Sequence, residues 1–171
     1  MAMKRIEGNR QDNSMPSRKI KIRKYFLDKI DEPRILDVYG SYGMMYKKLY
    51  SQYEIYKGYK KKEHINLDDY NYFDFDSYSD PNYAIDMLLP LLKKRIAIIL
   101  TDCAVKLRVC GKVLKRFEGI NLEDGSHLYK QFPKIWYQYL GQFGKVSDFK
   151  WINNKHSTFY IGCFLDPLGK R

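Results

Sequence analysis

The chain lacks features that define several classes of protein. Its 171 residues contain no apolar run of about 18 residues and no signal peptide, because Asn, Asp, Ser and Pro interrupt the basic N-terminal stretch. Its three cysteines have no C-x-x-C spacing, which argues against a disulfide framework or a zinc site. We therefore expect a cytoplasmic protein with free thiols, no membrane partner and no metal. A partial metal site that combines a cysteine with His127 or His156 is the weaker alternative.

Two nucleotide-binding loops are missing as well. A P-loop requires Gly-Lys followed by Ser or Thr, and this dipeptide does not follow the glycine-containing turn at residues 40–43. The dinucleotide fingerprint G-x-G-x-x-G is also incomplete there, because Val38 stands at the position of its first glycine. These absences exclude a P-loop and argue against dinucleotide binding at this turn.

Basic residues are abundant. Lysine and arginine total 31 against 20 acidic residues, which gives a formal charge of +11. They cluster at residues 4–5, 18–24, 57–62, 93–95 and 106–116. A surplus of this size attracts polyanions, so we predict a nucleic-acid partner, DNA or RNA. The richness in Lys, Ile and Tyr is typical of AT-rich genomes, among them those of viruses and mobile elements, for which the compartment would be the host cell.

The order of apolar patterns predicts an α/β fold. We expect residues 1–13 to form a flexible basic arm and residues 14–171 to form one domain. Strands are predicted at residues 34–39, 54–59, 65–67, 72–76 and 95–101, followed by a hairpin of residues 145–151 and 156–164. Helices are predicted at residues 14–32, 44–53, 82–94, 107–117 and 128–140. This alternation indicates a mostly parallel sheet flanked by helices, with one antiparallel C-terminal hairpin strand at its edge.

The turn after the first strand carries the first candidate site. Asp37-x-x-Gly40-x-x-Gly43 resembles motif I of class I S-adenosylmethionine-dependent methyltransferases, which have a Rossmann-like fold. The resemblance implies that Asp37 lies near the methionine ammonium group. It also implies that Tyr39, Gly40, Ser41 and Gly43 contact S-adenosyl-L-methionine. The structural alternative is a tight strand-to-helix turn that binds no ligand.

The sequence departs from this family at the second strand. Such enzymes usually carry an acid there that binds both ribose hydroxyls, but residues 57–62 contain no carboxylate. Glu54 precedes this zone and Glu63 follows it. Either another group holds the ribose or the predicted strand boundary is displaced by several residues.

A second candidate site follows the strand at residues 72–76. The segment D-F-D-S-Y-S-D-P resembles motif IV of nucleic-acid amino-methyltransferases, and its closest variant is the D-x-D-P-[FY]-G-S-P of tRNA guanine-N2 dimethyltransferases. Asp74, Asp76, Tyr78 and Pro81 match this pattern, whereas Ser77, Ser79 and Asp80 do not. The later T-D-C-A-V at residues 101–105 is similar to the T-D-x-A-V of the same family.

These residues suit methyl transfer to an exocyclic base amine. The amine is a poor nucleophile, and a carboxylate such as Asp76, which also lies beside the cofactor, would accept a hydrogen bond from it. Tyr78 would stack on the extruded base. Lys106 and Arg108, in the segment of residues 106–126, are the expected substrate contacts. The structural alternatives are a loop cap for Asp76 and an ordinary surface aromatic for Tyr78.

Three other functions are open to the same residues. Carbon-5 cytosine methylation is disfavoured, because it requires a nucleophilic cysteine after the strand at 72–76, and Cys103 follows the next strand instead. A methyltransferase of proteins or small molecules would keep the cofactor site. A non-catalytic nucleic-acid-binding protein with the same fold would explain the missing ribose acid. The sequence does not determine the oligomeric state.

Overall fold

The computed structural model of the chain describes residues 16–39, 49–57, 65–77, 81–102, 128–153 and 158–168. Their helices are α1 (Pro16–Leu27), α2 (Asn82–Leu88) and α3 (Leu128–Gly141). Their strands are β1 (Arg34–Asp37), β2 (Glu54–Lys57), β3 (Tyr72–Asp76), β4 (Ile96–Asp102), β5 (Gly144–Asn153) and β6 (Phe159–Pro167). None of the helices within these ranges is long and apolar enough to cross a membrane.

The six strands form one mixed sheet in the order β2-β1-β3-β4-β6-β5. Strands β2, β1, β3 and β4 pair in parallel, and β6 pairs antiparallel with both β4 and β5. The expected α/β architecture with a mostly parallel sheet is therefore present. The predicted place of the antiparallel strand was wrong, because β6 lies inside the sheet and β5 forms the edge. The burial pattern gives the reason, since Phe159–Leu165 is buried throughout whereas most of β5 is half-buried or exposed.

The sheet has two differently packed faces. On the face that we call the α1 face, Phe26 of α1 packs with Ile35, Ile99 and Tyr160. Helices α2 and α3 cover the opposite face, which we call the α2–α3 face. Its core is the larger of the two and includes Leu88, Ile98, Leu100, Ile135 and Trp136. Because successive strand residues point to opposite faces, β1, β3, β4 and β6 each contribute to both cores.

Several predicted elements differ at their ends. Strand β3 has the predicted bounds, whereas β1 ends at Asp37, two residues early. The predicted strand at residues 65–67 was wrong, because Leu67–Asp69 forms a 3-10 turn whose cap is the Asn66 side chain. The helix predicted at 82–94 becomes a 3-10 turn at Leu89–Leu91. Pro90 accounts for this change, since it has no N–H to donate to the helix.

The remaining expectations concern the cysteines, the N-terminal arm, two helices and a metal site. Cys163 is a free, buried thiol, as expected, and burial raises its pKa. Cys103 and Cys110, the arm at residues 1–13 and the helix at residues 107–117 lie outside the described ranges, as do residues 44–48 of the helix predicted at 44–53. Among the described residues, no group of three or more His, Cys, Asp or Glu side chains is placed to hold a metal ion.

Candidate functional site

The order of the strands creates a switch point at the carboxyl ends of β1 and β3. Along the chain β2 follows β1, yet β3 lies on the other side of β1 in the sheet. Leu49 and Tyr50, from the connection between β1 and β2, pack on the α1 face, whereas α2, which connects β3 to β4, packs on the opposite face. The connections therefore diverge between β1 and β3. In open α/β sheets, ligands bind outside the carboxyl ends of the strands at such a switch point.

Four polar residues of three neighbouring strands lie at this edge of the sheet on the α1 face. Asp37 of β1 is the register partner of Asp74 of β3, and Asp76 is the register partner of Thr101 of β4. All four are buried, with exposed fractions between 1% and 8%. We call Asp37, Asp74, Asp76 and Thr101, together with the cations that contact them, the carboxyl-edge cluster.

Arg23 of α1 neutralises Asp74. Its Nε and Nη2 atoms donate to Oδ2 and Oδ1 of Asp74, both at 2.8 Å, and Nη2 also donates to Oγ1 of Thr101 at 3.2 Å. The Tyr50 hydroxyl donates to Oδ2 of Asp74 at 2.5 Å. Burial would lower the pKa of Arg23, but Asp74 and then Asp76 raise it well above the usual value. Asp74 is therefore fully engaged in holding α1 on the sheet.

Asp76 is paired mainly with a second cation of α1. Nζ of Lys19 lies 2.5 Å from Oδ2 of Asp76, whereas Nη2 of Arg23 lies 3.6 Å from Oδ1. Burial would raise the pKa of Asp76, but Arg23, Lys19 and a hydrogen bond from Thr101 together hold it below the usual value. Asp76 is therefore a carboxylate at neutral pH, and it keeps the greater exposure of the two β3 acids.

The first predicted cofactor contacts lie at the same edge. Asp37 ends β1 with an exposed fraction of 3%, and the next residue, Val38, donates its backbone N–H to the Asp74 carbonyl at 3.0 Å. Tyr39 follows two residues after Asp37 and is 39% exposed. The structure thus brings Asp37, Tyr39 and Asp76 to one edge of the sheet.

The other predicted site residues lie outside the described ranges. They are Gly40, Ser41, Gly43, Tyr78, Lys106 and Arg108. The zone in which a ribose-binding acid was sought, residues 57–62, is described only at the end of β2. The glycine turn, the stacking aromatic and the substrate contacts therefore stay predictions.

Lys19 and Arg23 were not among the site residues predicted from the sequence. A signal for them exists, because residues 19, 22, 23 and 26 have the spacing of one helical stripe. Ile22 and Phe26 are the apolar members of this stripe, so a lysine and an arginine occupy positions that face a core. Two cations on a buried stripe require acidic partners, and the alternating acids of β3 are suitable ones.

The last residue of β4 is fixed from the opposite face. Asp102 is fully buried and accepts a hydrogen bond at 2.9 Å from Nε1 of Trp136 in α3. The same contact anchors α3 at the carboxyl ends of the strands. The T-D pair of residues 101–102 therefore points one side chain to each face of the sheet.

An open groove of about 680 Å³ lies at the other end of the sheet. It is bordered by Arg34, Asn71, Arg95 and Phe164, near the amino ends of β1 and β4. Both acidic and basic side chains line this groove, whereas the carboxyl-edge cluster lies at the opposite edge of the sheet. We therefore assign the candidate site to the carboxyl edge.

Comparison with known proteins identifies no family for the chain. Neither a model of a known protein family nor a curated protein matches the chain. Function is therefore inferred from the placement of the carboxyl-edge cluster and from the motifs at Asp37 and Asp76.

Proposed function

We propose that the chain is an S-adenosylmethionine-dependent methyltransferase with a Rossmann-like class I fold and a nucleic-acid substrate. The observation that carries the proposal is the placement of Asp37 and Asp76 on one face of the sheet, at the carboxyl ends of β1 and β3 where the connections diverge. The two acids belong to separate motifs of the resemblance, 39 positions apart in the sequence (76 − 37). Their convergence at the edge where α/β sheets bind ligands supports a common role.

The donor set at this edge fits the proposed cofactor. S-adenosylmethionine is cationic at its sulfonium and ammonium groups, and when bound it supplies an electrophilic methyl group. Asp37 would lie beside the ammonium group, and Tyr39 would line the adjoining wall. The backbone at Gly40, Ser41 and Gly43 would complete the site. The chain's own contribution is mainly to align the acceptor with the methyl group.

A base amine is the acceptor that the motif at Asp76 implies. The carboxylate, ionised because its pKa is lowered, would accept a hydrogen bond from the amine and orient its lone pair. The amine nitrogen would bond to the methyl carbon as the carbon–sulfur bond breaks, and its proton would pass toward Asp76. Tyr78 would stack on the extruded base.

Lys19 favours a second acceptor, a hydroxyl group. An amine becomes positively charged as it is methylated, and the ammonium of Lys19, 2.5 Å from Asp76, would oppose that charge. A hydroxyl oxygen instead gains negative character as it loses its proton toward Asp76, and Lys19 would stabilise it. The ribose 2′-hydroxyl distinguishes RNA from DNA, so this candidate predicts an RNA substrate.

The basic charge supports the nucleic-acid substrate. Helix α1 contains five basic residues and no acid in twelve positions, and its Lys19 reaches the candidate site. A protein or small-molecule substrate would not require this field. A non-catalytic nucleic-acid-binding protein would, and in such a protein Lys19 and Asp76 would form a structural ion pair.

Cofactor titration and methyl transfer together test the proposal. We expect S-adenosylmethionine to bind in calorimetry and radiolabelled methyl groups to enter RNA or DNA but not protein. Asp76→Asn should lower transfer by about 10²–10⁴-fold, the range for loss of general-base assistance, with cofactor affinity changed less than about threefold. Asp28→Asn, at an exposed acid paired with Lys24, is the matched control. Absence of cofactor binding at millimolar concentration would overturn the proposal.

Lys19→Met separates the two acceptors. If the acceptor is an amine, removing the cation should leave transfer unchanged or faster. If it is a hydroxyl, transfer to RNA should fall by about 10²-fold, as for loss of one oxyanion-stabilising donor, and DNA should not be methylated. Equal transfer to DNA and RNA would remove the hydroxyl candidate.

A further inference from the structure

Thr101 presents a hydroxyl to the carboxyl-edge cluster from the interior of the sheet. Its strand, β4, is paired on both sides, so that Thr101 is the register partner of Asp76 in β3 and of Tyr160 in β6. The residue is 3% exposed. A β-branched side chain has few accessible rotamers in such a strand. Thr101 therefore holds its hydroxyl in a fixed place beside the Asp76 carboxylate.

Arg23 sets the direction in which this hydroxyl donates. Nη2 of Arg23 donates to Oγ1 of Thr101 at 3.2 Å, and since a guanidinium has no acceptor atom, the threonine oxygen can only accept in this contact. The single hydroxyl proton is therefore left for another acceptor, and Thr101 donates it to Asp76. Arg23 and Thr101 thus form a hydrogen-bond chain of fixed direction that ends on the Asp76 carboxylate.

The other contacts of Asp76 are less able to orient its carboxylate. Nζ of Lys19 lies at the end of a flexible side chain that is 13% exposed. Nη2 of Arg23 lies 3.6 Å from Oδ1 of Asp76, which is beyond hydrogen-bond distance. A carboxylate has about four acceptor positions, and Lys19 and Thr101 occupy two of them, so Asp76 can accept further hydrogen bonds. Asp74, in contrast, already accepts from two nitrogen atoms of Arg23 and from Tyr50.

We propose that Thr101 is a positioning residue for Asp76 in methyl transfer. Its hydroxyl, directed by Arg23, holds the carboxylate in one orientation and leaves the remaining acceptor positions for the reacting group of the substrate. Orientation matters because a misplacement of about 1 Å at a reacting centre can cost about 10²-fold in rate. The role in methyl transfer rests on the proposed function, whereas the hydrogen-bond chain can be measured without it.

Methyl transfer by variants of Thr101 tests the role in the reaction. Thr101→Val keeps the branched shape and removes the hydroxyl, so we expect kcat to fall by about 10–10²-fold with little change in KM. Thr101→Ser retains the hydroxyl and should retain most of the activity. Ile99→Val is the control for lost packing, because Ile99 is a fully buried residue of the same strand and face. This control should lower stability but not kcat.

A titration of Asp76 tests the hydrogen bond directly. The pKa of its carboxyl group is followed by carboxyl-carbon NMR of the full chain without cofactor, with Asp76→Asn used to assign the signal. Donation from Thr101 favours the ionised carboxyl, so Thr101→Val should raise this pKa and Thr101→Ser should leave it lowered.

The shift in Thr101→Val can be assigned to the hydroxyl because the surrounding charges stay the same. Within the described residues, the other ionisable groups on this face around Asp76 are Lys19 and Arg23 of α1, Asp37 of β1, Tyr72 and Asp74 of β3, Tyr160 of β6, and Tyr50. Thr101→Val and Thr101→Ser contain all of them.

The possible failures are distinguishable. If Thr101→Val leaves either kcat or the pKa of Asp76 unchanged, the positioning inference is wrong, and the proposed function stands as long as the unaltered protein transfers methyl groups. If Thr101→Ser is as slow as Thr101→Val, the hydroxyl is not the group that matters, and the inference is wrong as well. If the unaltered protein transfers no methyl group, the proposed function and the role of Thr101 in it are overturned, even where a raised pKa in Thr101→Val shows the hydrogen bond.

Discussion

The two faces of the sheet are held by different forces. On the α2–α3 face, helices and strands meet through apolar side chains, with Asp102 and its partner Trp136 at the carboxyl edge. On the α1 face, the apolar cluster around Phe26 gives way to the buried ions Arg23, Asp74 and Asp76. Apolar burial stabilises without specifying one partner, whereas a buried ion is costly unless an opposite charge and hydrogen bonds compensate it. The α1 face thus fixes where α1 lies relative to the candidate site.

The largest expected effect comes from removing the central cation of the α1 face. Arg23→Met leaves the Asp74 carboxylate buried without its bidentate partner, and we expect a loss of about 3–5 kcal/mol in the free energy of unfolding. Urea denaturation measures this loss of stability. Adding Asp74→Asn should recover most of the loss, because the amide is uncharged and its oxygen still accepts from Tyr50. If the double variant is as unstable as Arg23→Met, the arginine stabilises through packing and the contrast between the faces is weaker than described.

Much of the fold could be predicted because its signals are local. The alternation of apolar runs located β3 with its observed bounds and placed β4 in the middle of the sheet. The place of β6 was missed although its long buried run is typical of an interior strand. Strand order depends on contacts between distant segments, and a local hairpin pattern does not state on which side of the hairpin the sheet continues.

The candidate site was likewise predictable only where its signals are local. Chain order was enough to expect Asp76 at the end of its strand, and it is there. Asp37 was expected inside a strand of residues 34–39, and it instead ends β1. The pairing of Asp76 with Lys19 depends on how α1 crosses the sheet, which no spacing within α1 or β3 records. The missing information is therefore the relative placement of elements, and it bears on whether an amine or a hydroxyl group is proposed as the acceptor.

A glycine allows α1 to approach the sheet closely. A Cβ atom on Gly162 of β6 would lie 2.3 Å from Cε2 of Phe26, well inside van der Waals contact. Gly162→Ala should therefore destabilise by about 1–3 kcal/mol through overpacking on the α1 face. Gly141→Ala is the control, because a Cβ there meets nothing within 4 Å and alanine favours the helix, so it should be neutral or slightly stabilising. Equal urea midpoints for the two variants would show that α1 is not held tightly on β6.

The smallest expected effect is a pH dependence that arises at Asp76 on the α1 face. The pKa of Asp76 is lowered in the folded protein, so its contribution to stability is present at neutral pH and is lost as the pH falls through the folded value, below about pH 4. Asp76→Asn removes that proton uptake. Between pH 6 and pH 3, its free energy of unfolding should fall less steeply than that of the unaltered protein, by at most one proton. Lys19→Met should flatten the curve partly, since Arg23 still acts on Asp76. An unchanged slope in Asp76→Asn would mean that Asp76 titrates alike in the folded and unfolded chain, and the carboxyl-edge cluster would then lack the ionic coupling that separates this face from the other.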